Sequence, residues 1–393
     1  MVRVAFYFAC GSAVAALVSI AVCQILLGAA LGTLLVSREP LRLPRIWMPL
    51  SVFVGLTLIA LVLSPDPRAG LPQLKKLYVY LMLPVIFTAI RYVGEIRPLI
   101  WAWAAAASAS GLWSFVQFWM KRQHALAQHT NFYLAYVADR ATGFMSHWMT
   151  FGAAQMAALM LLIAAVLFAP PRRSRWLCAV AASIMVASIV LGWTRGVWLA
   201  TFVSAFYVIA VWRPKYLLLV PLAVLLGWFI APRSIRERIV SIYQPHGEVD
   251  SNLHRSVTRR AGMEMIKAHP WFGIGPEMPG KQFQQYVPAD IRRPLPEGFY
   301  GHLHNIYLQY GAERGVPALL AFLCMICMML RDWWTRARSI VSNKHRAILH
   351  GCIAVLIAFL IEGLFENNLG DSEVLSMFWV VTAWGYRAWE EQA

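Results

Sequence analysis

Three short stretches hold the residues best suited to chemistry. In Trp193-Thr194-Arg195-Gly196-Val197-Trp198 a guanidinium sits in a tight turn between two apolar runs. An arginine at membrane depth costs roughly 2.5–3.5 kcal/mol on insertion scales. It reads either as an interfacial cation snorkelling out through a tryptophan belt or as a fixed charge that holds a lipid-linked phosphate. In the second reading Gly196 lets the backbone turn tightly beside it. In Asn252-Leu253-His254-Arg255-Ser256-Val257-Thr258-Arg259-Arg260, Arg255 and Arg259 are i, i+4 neighbours and share a helix face. Two guanidiniums on one face repel unless an anion lies between them, and a pyrophosphate fits their planar forks of donors. The alternative is a basic face resting on anionic lipid. The third stretch is Gly301-His302-Leu303-His304-Asn305, at the start of an apolar run. A neutral imidazole at His304 can take a proton from a hydroxyl near neutral pH; the alternative is a histidine that caps a helix. Histidines at i, i+2 do not share a helical face, and no H-x-x-x-H or carboxylate spacing completes a cage, so no metal is expected.

These groups need a scaffold, and composition says which kind. The chain has 393 residues, 59% hydrophobic and only 14% charged, against about 25% charged in average soluble domains. A soluble enzyme, a disordered chain and a fibrous repeat are excluded. The apolar residues fall in long runs rather than alternating, which argues against a β-barrel and for an all-α polytopic membrane protein. The run from Val4 to Val36 would make a helix of about 50 Å, too long for one crossing, so a hairpin split near Gln24 is expected. It reads as a retained pair of helices rather than a cleaved signal peptide. Further spans are expected at 47–64, 72–91, 98–119, 147–169, 175–192, 196–212, 215–231, 304–329, 347–365 and 373–388, giving twelve. The six cysteines all lie in apolar runs and read as packing residues, the Cys324/Cys327 pair included.

The net charge is +16, from 35 Lys+Arg against 19 Asp+Glu. Topology explains much of it without nucleic acid, because cytoplasmic loops collect basic residues. With both termini cytoplasmic, one side receives Arg38, Arg42 and Arg45; Arg91 and Arg97; Arg172, Arg173 and Arg175; Arg213 and Lys215; and Arg331, Arg336, Arg338, Lys344 and Arg346. The domain plan is then helices one to nine over 1–231, a large outer loop over 232–303, and three helices over 304–393. Loops this long are usually functional. Arg255 to Ala268 should be helical up to the Pro270 stop, with Gly273 and Gly275 making a sharp return. Other outer-side polar residues are Lys75, Lys76, His124, His129, Arg140, His147, Glu366 and Asp371. Of these, Arg140 and Glu366 are the secondary site candidates.

On these residues the chain resembles the bacterial superfamily of O-antigen ligases, O-antigen polymerases and protein O-oligosaccharyltransferases. His304-Asn305 is followed by nine residues and then Gly315-Val316-Pro317, with Ala318 at the family's second Gly. Arg195-Gly196-Val197-Trp198-Leu199-Ala200 is similar to a second motif, with Thr194 where Ser is commoner. Arg255 through Pro270-x-x-Gly273-x-Gly275 is similar to a third, with Arg259 where Trp is often found, and Arg140-Ala141-Thr142-Gly143 to an Arg-x-x-Gly segment.

The resemblance implies a GT-C-like, lipid-dependent glycosyltransferase of a Gram-negative inner membrane, with its site facing the periplasm. Its donor would be a glycan on undecaprenyl pyrophosphate and its acceptor lipid A–core, with membrane lipids around it. No cofactor, metal or nucleic acid is implied. Arg195 and Arg255 would bind the pyrophosphate, with Arg259 as a further contact, and His304 would serve as base, inverting the anomeric centre. Arg140, His302, Asn305 and Glu366 would complete the substrate site. Polymerase and protein glycosylator share the donor and differ in acceptor. A transporter or flippase should instead carry charge in mid-span.

Overall fold

The structure is a computed structural model that describes residues 2–171, 174–244 and 252–391; Arg172 and Arg173 lie outside the described residues. In chain order its helices are α1 (Val2–Ala15), α2 (Ile20–Val36), α3 (Trp47–Val62), α4 (Leu71–Tyr80), α5 (Met82–Ala89), α6 (Val93–Ala127), α7 (Phe132–Ala138), α8 (Trp148–Phe168) and α9 (Arg175–Leu191). There follow α10 (Arg195–Trp212), α11 (Val220–Ile230), α12 (Arg233–Val240), α13 (Asn252–Ala268), α14 (Met278–Gln282), α15 (Ile306–Ser339), α16 (Asn343–Glu362) and α17 (Ser372–Glu390). Among the described residues there is no strand. The chain is an all-helical membrane protein.

Five helices, α6, α8, α10, α15 and α16, are long and apolar enough to cross a membrane. A sixth span results if Pro214–Ile230 and Arg233–Val240, bent by 118°, are taken together. The other apolar helices are shorter. The 14 residues of α1 reach only about 21 Å at 1.5 Å per residue, below a ~30 Å hydrocarbon core. The expected span 72–91 is two helices that meet at Leu81. The N-terminal hairpin turns at residues 16–19 rather than at Gln24. Ser19 is the reason: its hydroxyl accepts the Val22 N–H and starts α2, whereas glutamine is content inside a helix.

The centre of the bundle is α8 against α16, flanked by α10 and α17. Both central helices are apolar on nearly every face, which suits burial on all sides. Small residues let them approach: Gly351 of α16 sits against Leu161 and Ala164 of α8.

One break positions the site. Helix α15 changes direction at Gly315 (φ 82°, ψ 168°), just before Pro317. Proline has no N–H, so the Glu313 carbonyl loses its helical donor. The Val316 N–H turns away to the Pro270 carbonyl at 2.7 Å, which also frees the carbonyl of Ala312. The segment after α13 supplies both donors: Ile274 N–H reaches Ala312 O at 2.8 Å and Gly275 N–H reaches Glu313 O at 3.0 Å. Gly273 (φ 67°) and Gly275 (φ 102°) make the return that presents them. Two of the sequence motifs are thus two halves of one backbone joint.

A Cβ at Gly315 would overlap the Trp271 carbonyl, and its dihedrals fall in a region essentially confined to glycine, costing of order 1–3 kcal/mol. Gly315→Ala is expected to lower the melting temperature in detergent by several degrees, read by tryptophan fluorescence. An unchanged transition would mean that this joint does not hold the outer segment.

Candidate functional site

Where α7, α8, α10, α12 and α13 meet the segments before α15 and after α16, they enclose a cavity of about 900 Å³. Four guanidiniums line it: Arg140, Arg195, Arg238 and Arg255. Each arrives by its own local logic. Arg195 opens α10 directly after a turn in which Trp193 is fully buried at φ 46°. A Cβ at Gly196 would meet Phe365 at 3.3 Å, so glycine here gives the segment before Glu366 room to pack. Arg140 is held by the turn to Gly143, where Gln117 Oε1 accepts the backbone N–H groups of Thr142 and Gly143. Arg238 is the inward face of the short amphipathic α12, donating to the Trp193 carbonyl at 3.0 Å.

The four are not equally committed. Arg195 donates to the Ser241 carbonyl at 2.9 Å and to Asn252 Oδ1 at 2.7 Å, tying α12 and α13 to the head of α10. Arg140 donates to Thr194 Oγ1 at 3.2 Å and lies over the Trp148 ring, while its buried Nε has no partner. The guanidinium of Arg255 has no hydrogen-bond partner among the described residues. Burial pulls Arg140 down to about 9, and the neighbouring Arg238 and Arg255 pull the same way. Burial also lowers Arg255; Glu366 opposes that shift and Arg238 adds to it. Positive charge is therefore gathered beyond what the protein neutralises locally, which is the electrostatic description of an anion site.

Facing these cations is an imidazole cluster. His304 stands at φ 48°, just ahead of α15. Its Nδ1 lies 3.1 Å from Glu366 Oε2 and its Nε2 lies 3.0 Å from the Phe299 carbonyl. Carbonyl and carboxylate both accept, so in this arrangement the ring carries a proton on each nitrogen. His302 Nδ1 accepts the His304 backbone N–H at 3.2 Å, and its Nε2 faces Glu366 Oε1 at 3.5 Å. Burial pushes His302 down to about 4 and His254 to about 4, so both rings are neutral near pH 7. Burial alone would raise Glu366, but its hydrogen bond to His304, the His304 charge, the His302 charge once that ring is protonated in acid, and the Asn367 backbone N–H outweigh that and hold it at about 2.

That depressed carboxylate has a thermodynamic consequence. Its contribution to stability is fully present above the ordinary value of 4.5 and is lost as pH falls through the folded value of about 2. The difference in melting temperature between wild type and Glu366→Gln should be constant above about pH 5 and shrink on acidification from there. A difference independent of pH would show that the carboxylate is not ionised in the site.

Most of the residues singled out in the sequence converge here. Arg195, Arg255, Arg140, His302, His304 and Glu366 all line the cavity. Arg259 does not: four residues on, the helix has carried it about 6 Å along its axis, and it is exposed outside the lining. Asn305 does not either. It caps α15, accepting from Leu308 N–H at 2.9 Å and donating to the Leu364 carbonyl at 3.0 Å. Lys75, His124 and His129 are exposed and lie outside the lining, whereas Lys76, His147 and Asp371 are part of it.

The argument from helical spacing against a metal cage is corrected. His302 and His304 precede the helix, the turn at His304 brings the rings to 4.2 Å between centroids, and Glu366 joins them, all three ligating atoms lying within 4.8 Å of one another. As the rings stand, Nδ1 of His302 accepts an N–H and its Nε2 carries the proton.

Among the lining residues not picked out from sequence are His254 and Arg238. His254 is buried and donates from Nε2 to the same Phe299 carbonyl at 2.9 Å; its place beside Arg255 was the available signal. Arg238 shares a helix face with Ile235, a spacing that marks an inward arginine.

Clustered cations opposite a histidine–carboxylate pair, in one cavity of a helical bundle, are groups chemically able to hold a polyanion and to move a proton. Residues 180–323 match the family model described as O-antigen ligase, and this match supports membership of the O-antigen ligase superfamily, whose members are glycosyltransferase-like enzymes. The matched segment holds Arg195, Arg238, His254, Arg255, His302 and His304. No curated protein matches the chain.

Proposed function

We propose that this protein is an O-antigen ligase. It transfers a glycan from undecaprenyl pyrophosphate, presented at the periplasmic leaflet of a Gram-negative inner membrane, to a hydroxyl of lipid A–core. The observation that carries the reading is the uncommitted guanidinium of Arg255 in one cavity with His304 and Glu366. Arg255 and Arg140, framed by Arg195 and Arg238, grip the diphosphate. Once the acceptor is seated in place of the Phe299 carbonyl and the Nε2 proton of His304 has passed to water, Nε2 takes the proton of the acceptor hydroxyl, while Glu366 holds Nδ1–H and stabilises the imidazolium that forms again, as in other histidine–carboxylate pairs. The oxygen attacks the anomeric carbon, the bond from that carbon to the phosphate oxygen breaks, and the undecaprenyl pyrophosphate leaves with the electron pair on that oxygen, its charge stabilised by the arginines. A single displacement inverts the anomeric centre. The guanidiniums take the part a divalent cation has elsewhere, so the reaction is metal-independent. The shorter apolar helices then serve as further crossings of a twelve-span, GT-C-like bundle with both termini cytoplasmic.

The test is deletion and complementation in a smooth strain. Loss of capped lipopolysaccharide with build-up of undecaprenyl-linked polymer is the expected result. Single repeat units capped on the core would identify a polymerase instead.

A further inference from the structure

The reacting nitrogen of His304 is not open. The Phe299 carbonyl oxygen covers Nε2 at 3.0 Å, and His254 Nε2 donates to the same oxygen at 2.9 Å. The two imidazoles stand 5.0 Å apart between centroids at 74°, converging on one oxygen atom. Resting on the reading above, we infer that the Phe299 oxygen occupies the place of the acceptor hydroxyl, and that His254 is a second acceptor-binding imidazole.

The chemistry fits an oxygen in transit. His254 is neutral, keeps its Nε2 proton, and can donate to a hydroxyl oxygen as it does to the carbonyl. His304, anchored at Nδ1 by Glu366, points Nε2 at that same oxygen. When an acceptor hydroxyl displaces the carbonyl and the Nε2 proton of His304 passes to water, one ring holds the hydroxyl oxygen and the other takes its proton. His254 gains and loses nothing in the step.

The cover is a single residue that can turn aside. Glu297 to Gly301 is irregular, and Tyr300 anchors it by packing on His254 and Phe283 and donating its hydroxyl to the Pro296 carbonyl. Phe299 itself is 63% exposed, so turning its carbonyl away costs little apolar contact. The arrangement also has a use. Until an acceptor arrives, the base is capped and protonated, so water at the cavity is not activated against the donor.

The experiment has two arms in detergent. His254→Gln is expected to raise KM for rough-type lipid A–core about 3–10-fold, the range of one neutral hydrogen bond, with kcat and the donor KM changed less than twofold. In wild type, hydrogen exchange of peptides covering 296–302 should rise when lipid A–core is added alone and stay unchanged with donor alone. An unchanged acceptor KM, or exchange that does not respond to acceptor, overturns the inference even if His304 proves essential. Full activity of a His304 variant would instead remove the base on which it rests.

Discussion

Replacing His304 by alanine is expected to lower the glycan transfer rate about 10²–10⁴-fold, the usual contribution of one positioned base, with donor affinity near wild type. The measurement is in vitro transfer at saturating donor and acceptor. The structure makes this a clean substitution for the helix that follows, because Asn305 and not His304 caps α15. It is less clean for the carboxylate. Glu366 would lose its 3.1 Å partner and keep His302 at 3.5 Å and the Asn367 backbone N–H at 3.0 Å. His304→Asn is the better second variant. Asparagine tolerates the left-handed backbone found at φ 48° and donates an amide N–H toward Glu366, yet it cannot take a proton. Alanine and asparagine variants that are both slow, with a folded transition near wild type, place the loss in chemistry. An asparagine variant at the wild-type rate means that some other group deprotonates the acceptor.

What could be read from the chain and what could not divides along a physical line. Hydrophobic runs are local, so the spans 147–169, 175–192 and 196–212 appear within a residue or two of α8, α9 and α10. Arginines stranded between apolar runs are also conspicuous, because their solvation cost demands a reason. Contacts between distant segments are not local. Glu366 lies 62 residues from His304, and only the packing of α15 against α16 and α17 brings them together. The same holds for the two carbonyls released at Gly315, whose donors come from residues 274 and 275. Arg259 failed for a narrower reason: helical spacing fixes the face of a residue but not where along that face the cavity ends. Arg238 shows the converse. Its helix, RSIRERIV, looks like a solvated basic segment until Ile235 is seen to turn the same side inward.

The second large effect is expected at Arg255. Arg255→Ala should raise the donor KM and lower kcat, for a combined loss of about 10²–10³-fold in kcat/KM, the scale of removing one charge-stabilising donor. Arg195→Ala should behave differently although it lines the same cavity. Its guanidinium is engaged by Ser241 and Asn252, so its removal loosens α12 and α13 and should depress the melting temperature along with activity. Arg255 has no such tie among the described residues. Taking it away relieves the repulsion that Arg140 and Arg238 experience and should leave the fold as stable or slightly more so. Arg255→Lys separates charge from geometry. Lysine keeps the charge but not the planar fork that grips two phosphate oxygens at once, so partial recovery is expected. A stable Arg255→Ala protein that still transfers at the wild-type rate would remove Arg255 from the diphosphate grip and leave Arg140, with its unpartnered Nε, as the group that carries it.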